Sequence, residues 1–154
     1  MIKKTFILVI LFVLLLSAKK ATETKYLPVL LFKFNSTVFD TLQDYDKSTY
    51  SNIDSTERIN VIVDLIKSNP KCLITIIGYS DSKEKIKDLG FKRAEKLKKI
   101  LIARGIKESD IETKTMSDKK PSYSMKEINK MVSEKDKEQL RRLNRKVTFM
   151  LNLK

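Results

Sequence analysis

Histidine is absent from the 154-residue chain. Its absence removes the commonest general base, the Ser-His and Cys-His nucleophile pairs and most zinc sites. Cys72 is the only cysteine, so an internal disulfide is impossible and stability must come from packing. Standing just before LITII, it reads as a small hydrophobe at the start of a strand. With three glycines in the whole chain, there is no phosphate-cradling loop. Enzymes built on these devices are excluded before any fold is considered.

What the chain does contain is 42% hydrophobic and 33% charged residues, enough for one core of ordinary size and too little for two domains. Lys3 and Lys4 precede an uninterrupted apolar stretch from Phe6 to Leu16, followed by small Ser17 and Ala18. This is the layout of a secretory signal over residues 1–18, with export expected. The stretch is short of the roughly 20 residues a membrane-crossing helix needs, which favours cleavage near Ala18 over an uncleaved anchor. No cysteine stands directly after it, so a lipid-modified cysteine is not expected. Residues 19–25 read as a short polar tether and 26–154 as the folded domain. The net charge of +13 is nearly all lysine, spread through every segment and not interleaved with aromatics that could stack bases. It describes a solvated surface suited to dwelling near anionic envelope polymers, and no nucleic-acid partner is expected.

Along the domain, YLPVLLFKF (26–34) is rich in strand formers, with Pro28 confining it to a strand start or an edge. NSTVFDTLQDYDKSTYSNID reads as a long loop. A helix comes next, with Asp54 and Glu57 at capping-box spacing and Ile59, Ile62, Val63 and Ile66 on one face. Cys72 to Tyr79 is apolar on both faces apart from Thr75, as a central strand should be. A second helix is expected to start between Lys83 and Asp88. Leu89, Ala94, Leu97 and Leu101 form its stripe, and Gly105 stands where a left-handed C-cap is usual. Ile111 to Met116 reads as a short strand, Met125 to Leu143 as a charged helix, and KVTFMLNL (146–153) as a strand with one face on the core. The alternating order predicts an α+β fold, a mixed sheet with helices packed against it.

The series VLLFKFNST, ITIIGYSDS, LGFKRAEKLKKIL, RGI with DIET, and LNRKVTFML resembles, in this order, the OmpA-like peptidoglycan-binding domain. The resemblance implies a non-catalytic module of the cell envelope, periplasmic or outer-membrane associated, with peptidoglycan as partner and no cofactor or metal. Further envelope proteins are conceivable partners, and the membrane is one only through an uncleaved leader. It also implies that Asp81, ending the G-Y-S-D strand, and Arg93, of the R-A dipeptide, hold the diaminopimelate of the stem peptide. The free end of that residue carries an ammonium and a carboxylate on one carbon, for which a carboxylate and a planar two-donor cation are the matching groups. Backbone N–H groups at the start of the second helix would add donors. Asn35, after the first strand, is a third candidate, with a plain turn-forming role as its alternative.

Competing readings stand beside this one. Asp81 and Arg93 could pair with each other, an arrangement worth about 0–1 kcal/mol when exposed and needing no ligand. A wall hydrolase would need a second carboxylate at working distance, and Glu84 and Asp88 read as solvated helix-start charges. A motor stator would need a carboxylate in its membrane helix, and Thr5 to Ala18 has none. The chain also departs from the family pattern. The Asp81 to Arg93 segment is about three residues short, Ile86 replaces an asparagine, Gly90 a serine and Ser117 a glycine, and an insertion lies between Phe39 and Asp54. A degenerate scaffold that acts through protein contacts without wall binding is the alternative function.

Overall fold

A computed structural model describes residues 28–40 and 54–153 of the chain. The expected signal segment 1–18, the tether 19–25 and most of the insertion, 41–53, lie outside the described residues. Among the described residues no helix is long and apolar enough to cross a membrane.

The elements are β1 (Leu30–Leu31), α1 (Ser55–Lys67), β2 (Cys72–Tyr79), α2 (Leu89–Ala103), a 3-10 turn (Glu108–Asp110), β3 (Ile111–Ser117), α3 (Met125–Ile128), α4 (Glu134–Asn144) and β4 (Lys146–Leu153). The strands form one mixed sheet in the order β1-β4-β2-β3. β4 runs antiparallel to both β1 and β2, whereas β2 and β3 are parallel. The expected α+β architecture is therefore present, with β2 inside the sheet.

Period-2 alternation decides which side of β2 meets the helices. Ile74 and Ile76 join Val147 and Phe149 of β4 under Ile59, Ile62, Val63 and Ile66 of α1 and Ala94, Leu97 and Leu101 of α2. Each fully buried Leu or Ile contributes about 1.5–3 kcal/mol, so this one layer carries most of the apolar stabilisation. On the opposite side Thr75 links Asn152 to Glu112 through its hydroxyl, each at 3.3 Å.

α2 packs unusually close to β2. A Cβ on Gly78 would stand 1.8 Å from the Gly90 carbonyl oxygen, and one on Gly90 would stand 2.7 Å from Thr115 Oγ1. The two glycines face each other so that backbone meets backbone. The departure at Gly90 is thereby a packing requirement.

Four local expectations change. Of the stretch 26–34 read as strand-like, the described part holds β1 at two residues only, because the chain leaves the edge after an isolated Phe32–Phe39 bridge and turns at Asn35, φ 46°. The capping box expected at Asp54 does not form; that carboxylate makes no cap bond to the helix and accepts the Ser55 hydroxyl at 3.2 Å. It forms instead at Ser124 and Glu127, on α3. The charged stretch 125–143 is two helices, because Ile128 is buried while residues 129–133 turn and Ser133 caps a new start. Finally, α2 begins at Leu89, later than expected, since Asp88 has φ 57° and the preceding residues are held by other contacts.

Candidate functional site

β2 delivers Asp81 two residues past its end, and the first turns of α2 place Arg93 on the buried face beneath it. Arg93 has 0% exposure and Asp81 2%. Every one of the five guanidinium N–H donors of Arg93 is used. Nε donates to the Ser36 carbonyl at 3.0 Å, Nη1 to the Tyr79 carbonyl at 3.0 Å, and Nη2 to the Lys33 carbonyl at 3.1 Å. The other two donors form a fork onto Glu84, Nη1 to Oε2 at 2.8 Å and Nη2 to Oε1 at 2.6 Å. The Phe32 ring lies 5.2 Å from the guanidinium carbon.

Glu84 is the site residue that sequence reasoning missed. Its side chain is 1% exposed, so it is no solvated helix-start charge. Beyond the fork, Oε1 accepts the Asn35 backbone N–H at 2.8 Å and Oε2 accepts that of Asp81 at 2.9 Å. A bidentate charge-assisted pair supplemented by two amides is the strongest way to hold a carboxylate out of water. The two amides that meet this carboxylate belong to the loops at Asn35 and Asp81, not to the start of α2. A signal for Glu84 was present: Asp81-x-x-Glu84 has capping-box spacing, and the glutamate does reach back to the Asp81 amide, without a helix after it.

Asp81 and Arg93 are brought into one network but form no ion pair with each other. The Asp81 carboxylate accepts Lys83 N–H on Oδ1 at 3.0 Å and Asn144 Nδ2 on Oδ2 at 3.2 Å. Asn144, 2% exposed, is locked by Tyr123, whose N–H and carbonyl it meets at 2.9 Å each. Asn35 contributes as a turn and a contact together, since its Oδ1 accepts Lys85 N–H at 3.0 Å. Next to Asn144, Arg145 fixes the same edge segment: Nε donates to the Phe32 carbonyl at 3.2 Å and Nη2 meets Glu138 at 2.8 Å.

A cavity of about 260 Å³ lies elsewhere, lined by Leu31, Arg58, Tyr123 and Lys146 among others, and none of Asp81, Glu84 or Arg93 borders it. Burial lowers the Lys146 ammonium below its ordinary 10.5. Among the described residues no three His, Cys, Asp or Glu side chains cluster as a metal site would require.

The OmpA family model matches residues 31–135, more than half of the chain and all of the network above except Glu138, Asn144 and Arg145. The chain belongs to the OmpA family. No curated protein matches it. This OmpA-family chain is similar in fold to the periplasmic domain of Helicobacter pylori MotB, at 20% identity and TM-score 0.57, over 80% of this chain and 68% of that one. The peptidoglycan-associated lipoprotein from Burkholderia pseudomallei aligns at 20% identity and TM-score 0.57, over 80% of this chain and 89% of that one. The cell wall anchor of the T6SS from Pseudomonas aeruginosa aligns at 16% identity and TM-score 0.55, over 80% and 76%.

Proposed function

We propose that this domain binds peptidoglycan non-covalently, without catalysis, through the diaminopimelate of the stem peptide, and so tethers or scaffolds the cell envelope. The observation that carries the reading is a place for a carboxylate beside a second carboxylate. Arg93 and the Asn35 and Asp81 amides converge on the two Glu84 oxygens, and Asp81, which supplies one of those amides, also carries the second carboxylate. An ammonium and a carboxylate on one carbon need both halves of that arrangement. Two fold relatives named for attachment to the wall, the peptidoglycan-associated lipoprotein and the cell wall anchor, support it. In this reading residues 1–18 direct export, 19–25 act as a tether, and the binding partner is the wall polymer.

A second reading is favoured by one specific observation. Arg93 has no donor left over and Asp81 is buried, so the residues named for the ligand already serve each other's loops. A scaffold that keeps the architecture and acts through protein contacts would look the same.

Sedimentation of the full chain with insoluble diaminopimelate-type peptidoglycan separates the two. Wild type should pellet, and Asp81→Asn and Arg93→Lys, each first shown to be folded by circular dichroism, should remain in solution at low and high salt. Equal pelleting of all three, reversed by salt, would assign the association to surface lysines. No pelleting by wild type would leave the scaffold reading.

A further inference from the structure

Three of the five Arg93 donors are tied to backbone carbonyls of Lys33, Ser36 and Tyr79, so the guanidinium is fixed whether or not Glu84 is present. The remaining two donors, with the Asn35 and Asp81 amides, make four hydrogen bonds to whatever carboxylate stands in front of them. In this structure that carboxylate comes from the chain itself, nine residues before Arg93. Glu84 belongs to neither a helix nor a strand. Its backbone is held by one turn bond, Glu84 N–H to the Asp81 carbonyl at 3.0 Å, and by its neighbour Lys85 to Asn35 Oδ1. Withdrawing the side chain therefore breaks no regular element.

We propose that Glu84 is an internal competitor: its side chain holds, in the resting protein, the place of the ligand's carboxylate, and ligand binds by displacing it. This rests on the wall-binding reading given above. An incoming diaminopimelate carboxylate inherits the same four hydrogen bonds that Glu84 gives up. The exchange is close to balanced, and net affinity comes from what Glu84 lacks, the ammonium beside Asp81. Affinity is scaled down by the fraction of molecules with Glu84 withdrawn: if that is roughly 1%, the apparent dissociation constant is raised about 100-fold. The segment shortened between Asp81 and Arg93 thus sets affinity, making each wall contact weak and quickly exchanged, with repeated wall sites restoring retention.

Glutamine tests this because it keeps the size of Glu84 but loses the charge, and its amide nitrogen must face an N–H donor wherever it turns. Calorimetric titration of the full chain with a soluble diaminopimelate-containing stem peptide should show Glu84→Gln binding at least tenfold more tightly than wild type. In parallel, the lowered melting temperature of Glu84→Ala should recover with millimolar acetate, and further with free meso-diaminopimelate, while that of wild type stays put. If wild type binds and Glu84→Gln binds no better, Glu84 is a fixed structural partner and the inference fails while the wall-binding reading stands. If neither binds stem peptide yet acetate restores Glu84→Ala, the exchangeable carboxylate place stands and the diaminopimelate reading fails. Should Glu84→Ala not fold, the glutamine comparison decides alone.

Discussion

Asp81 and Arg93 meet at a single oxygen: Glu84 Oε2 accepts the Asp81 backbone N–H at 2.9 Å and the Arg93 Nη1 at 2.8 Å. The two residues expected to act as a pair are thus joined by a third group that is buried with them, through the Asp81 backbone and the Arg93 side chain. Energetically this differs from a surface ion pair. Removing one partner leaves the other as an unpaired buried charge.

Arg93→Ala should therefore destabilise the protein by about 3–5 kcal/mol in urea unfolding, far above the value of an exposed pair. Glu84→Met combined with Arg93→Met should cost much less than the sum of the single changes, since neither leaves a lone charge.

Restoring the family's serine at position 90 should harm this chain. The Cβ of Gly90→Ser would stand 2.7 Å from Thr115 Oγ1 and 2.9 Å from the Gly78 carbonyl oxygen. A loss of about 1–3 kcal/mol is expected, and Gly78→Ala should lie at or beyond the top of that range because it meets backbone at 1.8 Å. Thermal unfolding of the two variants gives the ranking.

Position 117 should behave in the opposite way. Ser117 has φ 47°, a left-handed conformation that costs a residue with a Cβ roughly 1–2 kcal/mol. Glycine relieves that and returns about 0.5–1 kcal/mol through its freer unfolded chain. Ser117→Gly should stabilise by about 0.5–1 kcal/mol, read from the urea midpoint at unchanged slope.

The α3 capping box makes a pH prediction. The Ser124 hydroxyl, then the Ser124 backbone N–H, hold the Glu127 carboxyl below its ordinary 4.5. A carboxyl with a depressed folded value binds fewer protons than in the unfolded chain, so its contribution is complete above pH 4.5 and lost as pH falls through the folded value. NMR titration should place Glu127 below 4.5 in wild type and closer to it in Ser124→Ala, with acid unfolding of the variant less steep there.

How much of this could be read in advance depends on the range of the interaction. The stripe Leu89, Ala94, Leu97 and Leu101 and the alternation of KVTFMLNL report which side of an element is apolar, and both elements lie where their patterns put them. The family's motifs pointed to Asp81 and Arg93, and the fold brings these two into one buried network. Glu84 carried only its capping-box spacing to Asp81, because its burial depends on Arg93 and on the Asn35 amide 49 residues earlier, neither of which leaves a periodic trace. The break at residues 129–133 escaped for a related reason. Charged residues populate both short helices, and only the capping serines 124 and 133 mark where each begins.

The edge of the sheet has a mechanical consequence. β1 gives the sheet two ladder positions, and the segment after it is riveted by cations: Arg145 to the Phe32 carbonyl, Arg93 to those of Lys33 and Ser36, Lys96 to that of Thr37. A pull on the chain at Pro28 would meet the Arg58 bond to the Val29 carbonyl and the two β1 ladder positions, and then this segment. It reaches the guanidinium of Arg93 without crossing a helix or the central strands, so a pull at that end is felt directly where the Glu84 carboxylate sits.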